Sequence, residues 1–301
     1  MNKRLQALKT LREWLERERP ENSAIFPQVN LNRLGIHLGL RVVKPRAIHQ
    51  GEYGFCGPVT ILYPLNKTEP EKYVKYVLGL AEGGKGQLGS REIDVQGYTA
   101  LRGNYNKEVI SEVDYVALAS LRTEVSIAVG PDAFNVEKPQ DTHSHATTPG
   151  QMMKALLWAG YYPVEDHTLE DYEGIRGETG IQTAYGRLKQ CEQMLRTKPG
   201  YAVIMLVHVA LANYAKRGEL ITGPTNKLKL GDLHWMVVKN LGVTGSQLTG
   251  TATMEVVTWG WSGLTNYQLK DFLPRFFGYL AADPSATASK APPKEFVFES
   301  T

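Results

Sequence analysis

In the stretch Gln50-Gly-Glu-Tyr-Gly-Phe-Cys56-Gly-Pro, a thiol stands six residues after a glutamine and at the head of an apolar run. The thiolate is the reactive form of cysteine, and its pKa falls at a helix N-terminus, where unpaired N–H groups and the macrodipole favour negative charge. The sequence Cys56-Gly-Pro-Val-Thr-Ile-Leu-Tyr predicts such a helix, with Pro58 tolerated in the first turn because its missing N–H has no partner there. Gly51 and Gly54 let the preceding loop bend back, so that the Gln50 amide and the Cys56 main-chain N–H can both donate to a developing oxyanion. The alternative is a small buried core cysteine, the usual fate of a free thiol.

A base is offered far along the chain. Gly231-Asp-Leu-His234-Trp-Met-Val-Val-Lys-Asn240 puts a histidine at the head of a β-branched run, and Thr253-Met-Glu-Val-Val-Thr-Trp259-Gly-Trp261 reads as the returning strand of a hairpin. With the turn centred near Gly245 and Ser246, antiparallel pairing sets His234 opposite Val257 or Thr258 and places Asn240 at the far end.

This pattern of glutamine, Cys-Gly at a helix start, strand-opening histidine and Trp-Gly resembles the papain-like thiol hydrolases. It spans Gln50 to Gly260, while the intervening sequence is unlike a standard papain chain. The resemblance implies an α+β, papain-like fold with Cys56 as nucleophile, His234 as base, Gln50 as oxyanion donor and Trp259 shielding the histidine's contact with its orienting group. That group departs from the usual Asn-Ser-Trp-Gly: here the residues are Val257-Thr258-Trp259-Gly260. Thr258 is the expected third member, with Glu255 the alternative if the register slips by two. Within the group, Cys-Gly-Pro, His-Trp and Thr-Trp-Gly are together similar to diverged bacterial toxins and secreted effectors. The expected activity is hydrolysis of an amide or peptide bond through a Cys56 acyl-enzyme. A glutamine deamidase or transglutaminase toxin and a catalytically silent binding domain are the alternatives. Expected partners are a protein, peptide or peptidoglycan substrate, and a chaperone or immunity protein if the chain is an effector.

The elements that must hold this constellation are readable in outline. Leu5, Leu8, Leu11, Trp14 and Leu15 predict an amphipathic helix over residues 4–18 ended by Pro20. A helix capped by Thr68 and closing at Gly83-Gly84 follows the nucleophile helix, and further helices are predicted around 113–121, at 151–160 after Thr148 as N-cap, and over 180–197. Glu92–Val95 reads as a short strand. Tyr201–Val209, the two hairpin strands and Phe276–Leu280 predict antiparallel neighbours, with a short helix over 265–273. The chain reads as one domain over 1–280, comprising a lead-in to residue 45, a mainly helical lobe over 46–200 and a sheet over 201–280, with a flexible tail over 281–301.

The remaining features narrow the class. A net charge of +3 with interspersed acids and no basic stretch carrying stacking aromatics argues against nucleic acid. Cys56 and Cys191 are expected reduced, Cys191 as a structural residue, because a bridge would silence the nucleophile. His143 and His145 invite a metal, but no Cys or Glu stands at ligand spacing, so a solvated loop is preferred and no cofactor is expected. His208 reads as a core or sheet-edge histidine. The basic N-terminus lacks an uninterrupted apolar segment, which predicts neither a secretory signal nor a membrane span, hence a cytoplasmic product, with export by a signal-less secretion machine for an effector.

Overall fold

The computed structural model describes residues 2–51, 53–99, 101, 105–125, 147–169, 177–218, 232–258 and 260–284. His143, His145, Trp259 and the tail beyond residue 284 lie outside them. The described chain is α+β with antiparallel sheets.

The first half is helical. α1 (Lys3–Leu15) starts at an Asn2 cap and ends before Pro20 is reached. Beyond it Arg19 turns back to donate to the Trp14 carbonyl, and the Trp14 indole donates to Glu82, so packing rather than proline sets the end. α2 (Leu31–Val43), capped by Asn30, has no counterpart in the sequence reading. It buries Leu31, Leu34, Leu38 and Val42 but leaves Ile36, Leu40 and Val43 exposed, so apolar residues ring the helix and the amphipathic signal is blurred. α3 (Cys56–Thr68) begins at the thiol and is buried along nearly its whole length. Thr68, expected to cap the next helix, is instead the last residue of α3, its hydroxyl turned back to the Pro64 carbonyl. α4 (Pro70–Gly83) starts with proline at its first position and closes on Gly84 in the left-handed conformation. A hairpin, β1 (Lys85–Leu88) with β2 (Arg91–Asp94), leads on to α5 (Glu112–Val125), buried on almost every side.

The second half is a six-stranded sheet and its helices. α6 (Pro149–Trp158) has Thr148 and Gln151 in a reciprocal capping box. β3 (Val164–Asp166), α7 (Glu178–Thr197), β4 (Ala202–His208), α8 (Val209–Arg217), β5 (Leu233–Thr244), β6 (Thr251–Thr258), β7 (Trp261–Gln268), α9 (Leu269–Phe272) and β8 (Phe276–Ala282) follow. The strand order is β3-β8-β4-β5-β6-β7, antiparallel throughout. Residues 261–268 are a strand, not the start of a helix, because Gly260 at φ 75° turns the chain sharply after β6 and Trp261 opens the return. Ala281 and Ala282 belong to β8 rather than to a tail. His208 ends β4 and caps α8, its Nδ1 accepting from the Ala210 N–H.

α3 sits between α4, α5 and α6 and presses on β5, so the thiol-bearing helix is the seam between the two halves. The segment that enters α3 is fixed from the other side by a buried ion pair. Arg41 of α2 donates through Nε and Nη2 to Asp114 of α5 at 3.0 and 2.5 Å, and the His49 main-chain N–H reaches Asp114 Oδ2 at 3.2 Å. Burial works against the Arg41 charge, but the Asp114 hydrogen bond and charge hold its pKa above the usual value. Removing one partner strands the other in the interior, at a cost of about 3–5 kcal/mol. Urea unfolding is therefore expected to show Asp114→Ala and Arg41→Met each strongly destabilised and the double variant losing clearly less than their sum. Simple additivity would show that the pair is not coupled.

Candidate active site

Cys56 is the first residue of α3, and Phe55 caps the helix without a side-chain hydrogen bond. Protein surrounds the sulfur, yet part of the residue keeps contact with solvent. Burial pushes the thiol pKa up, and the N–H groups of Trp235, Gly57 and Cys56 with the charge of Arg122 only partly oppose this. The expected lowering at a helix N-terminus is thus overturned, because desolvation of a thiolate outweighs a few backbone dipoles.

His234 meets this region through its chain neighbour. The Trp235 indole donates to the Thr147 carbonyl at 2.8 Å, and β5 packs against α3. Thr147 lies directly on the α3 head: a Cβ at Gly57 would stand 2.5 Å from its Oγ1, so glycine is needed where this loop and helix touch. His234 itself is 4% exposed, and its Nε2 lies 2.6 Å from Thr258 Oγ1. Burial holds the imidazole down to about 3.

The hairpin register differs from the expected one. Val257 pairs with Val237, not with His234, because residues 245–250 form a longer turn and a bulge interrupts pairing between Val238 and Asn240. Asn240 consequently lies inside β5, opposite Glu255. Thr258 still reaches His234 because it falls on the same sheet face as a diagonal neighbour. Glu255, three residues earlier, faces the other way and is paired with Lys239.

Gln50 is buried in the loop before α3. Its Nε2 donates to the Tyr53 carbonyl at 3.1 Å, which uses one of its two N–H groups, and its Oε1 has no partner among the described residues. The loop is clamped on both sides: Gly51, at φ 63°, lies against the Val109 carbonyl, and Gly260 packs on the His49 ring. Burial keeps that ring below its usual pKa, in keeping with Nδ1 accepting from the Gly51 N–H. An open recess of about 370 Å³ abuts the loop, lined by His49, Gln50, Gly51, Glu108, Lys216 and Arg217 among others.

Arg122, Thr147 and Asp114 were not singled out from sequence. The usable signal was charge in the wrong place: Asp114 and Arg122 interrupt an otherwise apolar helix. Cys191 is buried in α7, as its helical position suggests, with a thiol pKa raised by burial. Among the described residues no group of three potential ligands could hold a metal ion, and no helix is long and apolar enough to cross a membrane.

A buried neutral histidine has a consequence for stability. Its pKa is lower folded than unfolded, so its contribution is present above about pH 6.5 and is lost as pH falls toward 3. From pH 7 to 5 this single group should remove about 2 kcal/mol. Chemical denaturation at both pH values is expected to show that loss in the wild type and a smaller one in His234→Gln; equal losses would contradict a neutral buried imidazole. No protein-family model, no curated protein and no solved structure matches this chain.

Proposed function

We propose that this protein is a papain-like cysteine hydrolase acting on an amide or peptide bond through an acyl-enzyme on Cys56. The observation that carries the reading is the packing of β5 on α3, where the Trp235 indole bonds the Thr147 carbonyl and Thr147 lies on the α3 head, so that the residue after His234 is joined to the thiol-bearing helix, together with the 2.6 Å contact of His234 with Thr258. In the tautomer with its hydrogen on Nε2, the ring donates to Thr258 Oγ1 and Nδ1 is the base. The thiol and the imidazole are both neutral at rest, so the proton moves from sulfur to Nδ1 as sulfur attacks the carbonyl carbon. The Cys56 N–H and the second N–H of Gln50 take the oxyanion. The proton then passes from His234 to the leaving amine, and water, deprotonated by the same ring, releases the acid.

A deamidase or transglutaminase toxin would use the same acyl-enzyme with a side-chain amide, and a bacterial effector role follows from the motif resemblance alone. The silent binding domain has one observation in its favour, the raised thiol and lowered imidazole pKa values.

Two experiments separate these readings. 1,3-Dibromopropanone should alkylate Cys56 with one arm and His234 with the other, so that peptide mapping recovers a Cys56–His234 crosslink; mono-alkylated Cys56 alone would mean the groups do not meet. Incubation with peptide, protein and peptidoglycan extracts should leave an acyl mass on Cys56 that is absent in Cys56→Ala, and persistent absence favours the silent domain. Once a substrate is trapped, Thr258→Val should lower kcat about ten- to thirtyfold with little change in KM, the value of one orienting hydrogen bond at about 1.5–2 kcal/mol. An unchanged kcat would remove Thr258 from the site.

A further inference from the structure

Hydroxyls around α3 and the strands behind it find partners. Thr60 donates to the Gly57 carbonyl at 2.8 Å, Thr148 accepts the Gln151 N–H at 3.2 Å, and Thr258 meets the His234 ring at 2.6 Å. Thr147 departs from this: it is 5% exposed, and its Oγ1 has no hydrogen-bond partner among the described residues. A buried hydroxyl left unpaired is costly, and valine would fill the same space without that cost.

The position of Thr147 is nevertheless fixed from three sides. Its carbonyl accepts from the Trp235 indole of β5 at 2.8 Å, and the residue after it caps α6. Its side chain lies on Gly57 of α3, where a Cβ would stand 2.5 Å from Thr147 Oγ1 and 2.9 Å from Thr147 Cβ. Cβ atoms of an α-helix tilt toward its N-terminus, so a group met by the Cβ direction of Gly57 sits beside the first turn, at the level of Cys56. That turn is short of acceptors as well. Phe55 caps α3 without a side-chain hydrogen bond, Pro58 has no N–H, and the Val59 N–H reaches the Phe55 carbonyl at 2.9 Å. The N–H groups of Cys56 and Gly57 are thus the donors at the head that have no intrahelical carbonyl. A thirteen-residue helix head and a buried, unpartnered hydroxyl therefore meet at the turn that carries the thiol. Such a set of donors suits an oxygen that gains negative charge.

We propose that the Thr147 hydroxyl is a third donor to the oxyanion, beside the Cys56 N–H and the Gln50 amide. This rests on the reading of Cys56 as nucleophile. As the sulfur–carbon bond forms, the carbonyl π pair moves to oxygen, and Thr147 donates a hydrogen bond to that oxygen while keeping its proton. When the carbonyl re-forms, the leaving group departs with its bonding pair and the hydroxyl is released.

The test compares two reagents that differ in this one respect. p-Nitrophenyl acetate acylates a thiol through a tetrahedral oxyanion, whereas iodoacetamide alkylates it by displacing iodide at a saturated carbon. Acylation is read as the part of p-nitrophenolate release that is lost in Cys56→Ala, and alkylation as label mapped to the Cys56 peptide. In variants that each show a cooperative thermal transition, Thr147→Val should slow acylation about ten- to a hundredfold and leave alkylation within about twofold, as expected for losing one oxyanion donor. Thr147→Ser should keep acylation near wild type. Equal acylation in wild type and Thr147→Val would overturn the proposal and leave the hydrolase reading standing. A parallel loss in both reactions would also overturn it, since Thr147 would then act on the thiol and not on the oxyanion. Should Thr147→Val not fold, Thr147→Ala against Thr147→Ser decides in the same way: alanine should lose acylation selectively and serine should not. A wild type with no p-nitrophenolate release attributable to Cys56 would sink the hydrolase and the donor together.

Discussion

Asp114 is the group on which the positioning of the site depends. Its two oxygens serve Arg41 of α2, Ser111 at the start of α5 and the main chain of His49, so one buried carboxylate ties two helices to the loop that carries Gln50 into α3. Glu112 repeats the tie one step away by engaging Arg33 and His37. Arg33, His37 and Arg41 recur every four residues and so form a stripe on α2 that faces the acidic first turn of α5. Buried pairs of this kind add little net stability against an apolar replacement, but they specify which surfaces meet. Here the thing specified is the angle at which the Gln50 loop approaches the head of α3.

The electrostatics of the thiol follow from the same burial. A helix N-terminus and three N–H groups favour a thiolate, but each is a partial charge, whereas the desolvation of a full charge acts on the whole ion. The imidazole is treated alike: hidden in the sheet, it is held neutral by burial. Burial disfavours a charge on either group alone; on the proposed reading the two charges form together, in one proton transfer.

Much of this was legible in the chain, and the failures have local causes. The helix at Cys56, the N-cap at Thr148 and the helix stop at Gly83-Gly84 depend on short-range rules and stand where the sequence puts them. α2 was hidden because Arg41 is buried while Ile36, Leu40 and Val43 of its apolar set face out. The β7 strand was hidden by Gly260, which divides one apparent run into two strands. The hairpin register could not be placed from residue types, since a bulge after Val238 and a long turn move Thr258 two residues along β5 from His234, an even shift that preserves which face Thr258 occupies. That preserved face is why the contact with His234 survives a wrong register.

Thr258 then sets the character of the site. A hydroxyl can orient an imidazole, and the 2.6 Å contact does so, but it supplies no charge to hold an imidazolium. The nearest carboxylate on β6, Glu255, is turned to the other face and neutralised by Lys239, so the sheet does not provide one by a small adjustment. On the proposed hydrolase reading, the threonine orients the ring and the imidazolium is stabilised by the thiolate formed with it. Charge separation is therefore coupled to the approach of a carbonyl carbon able to take the sulfur's electrons. On the proposed reading, such a thiol reacts when an electrophile is held in place beside it and is otherwise quiet, so that selectivity would come from docking the substrate rather than from a permanently activated sulfur.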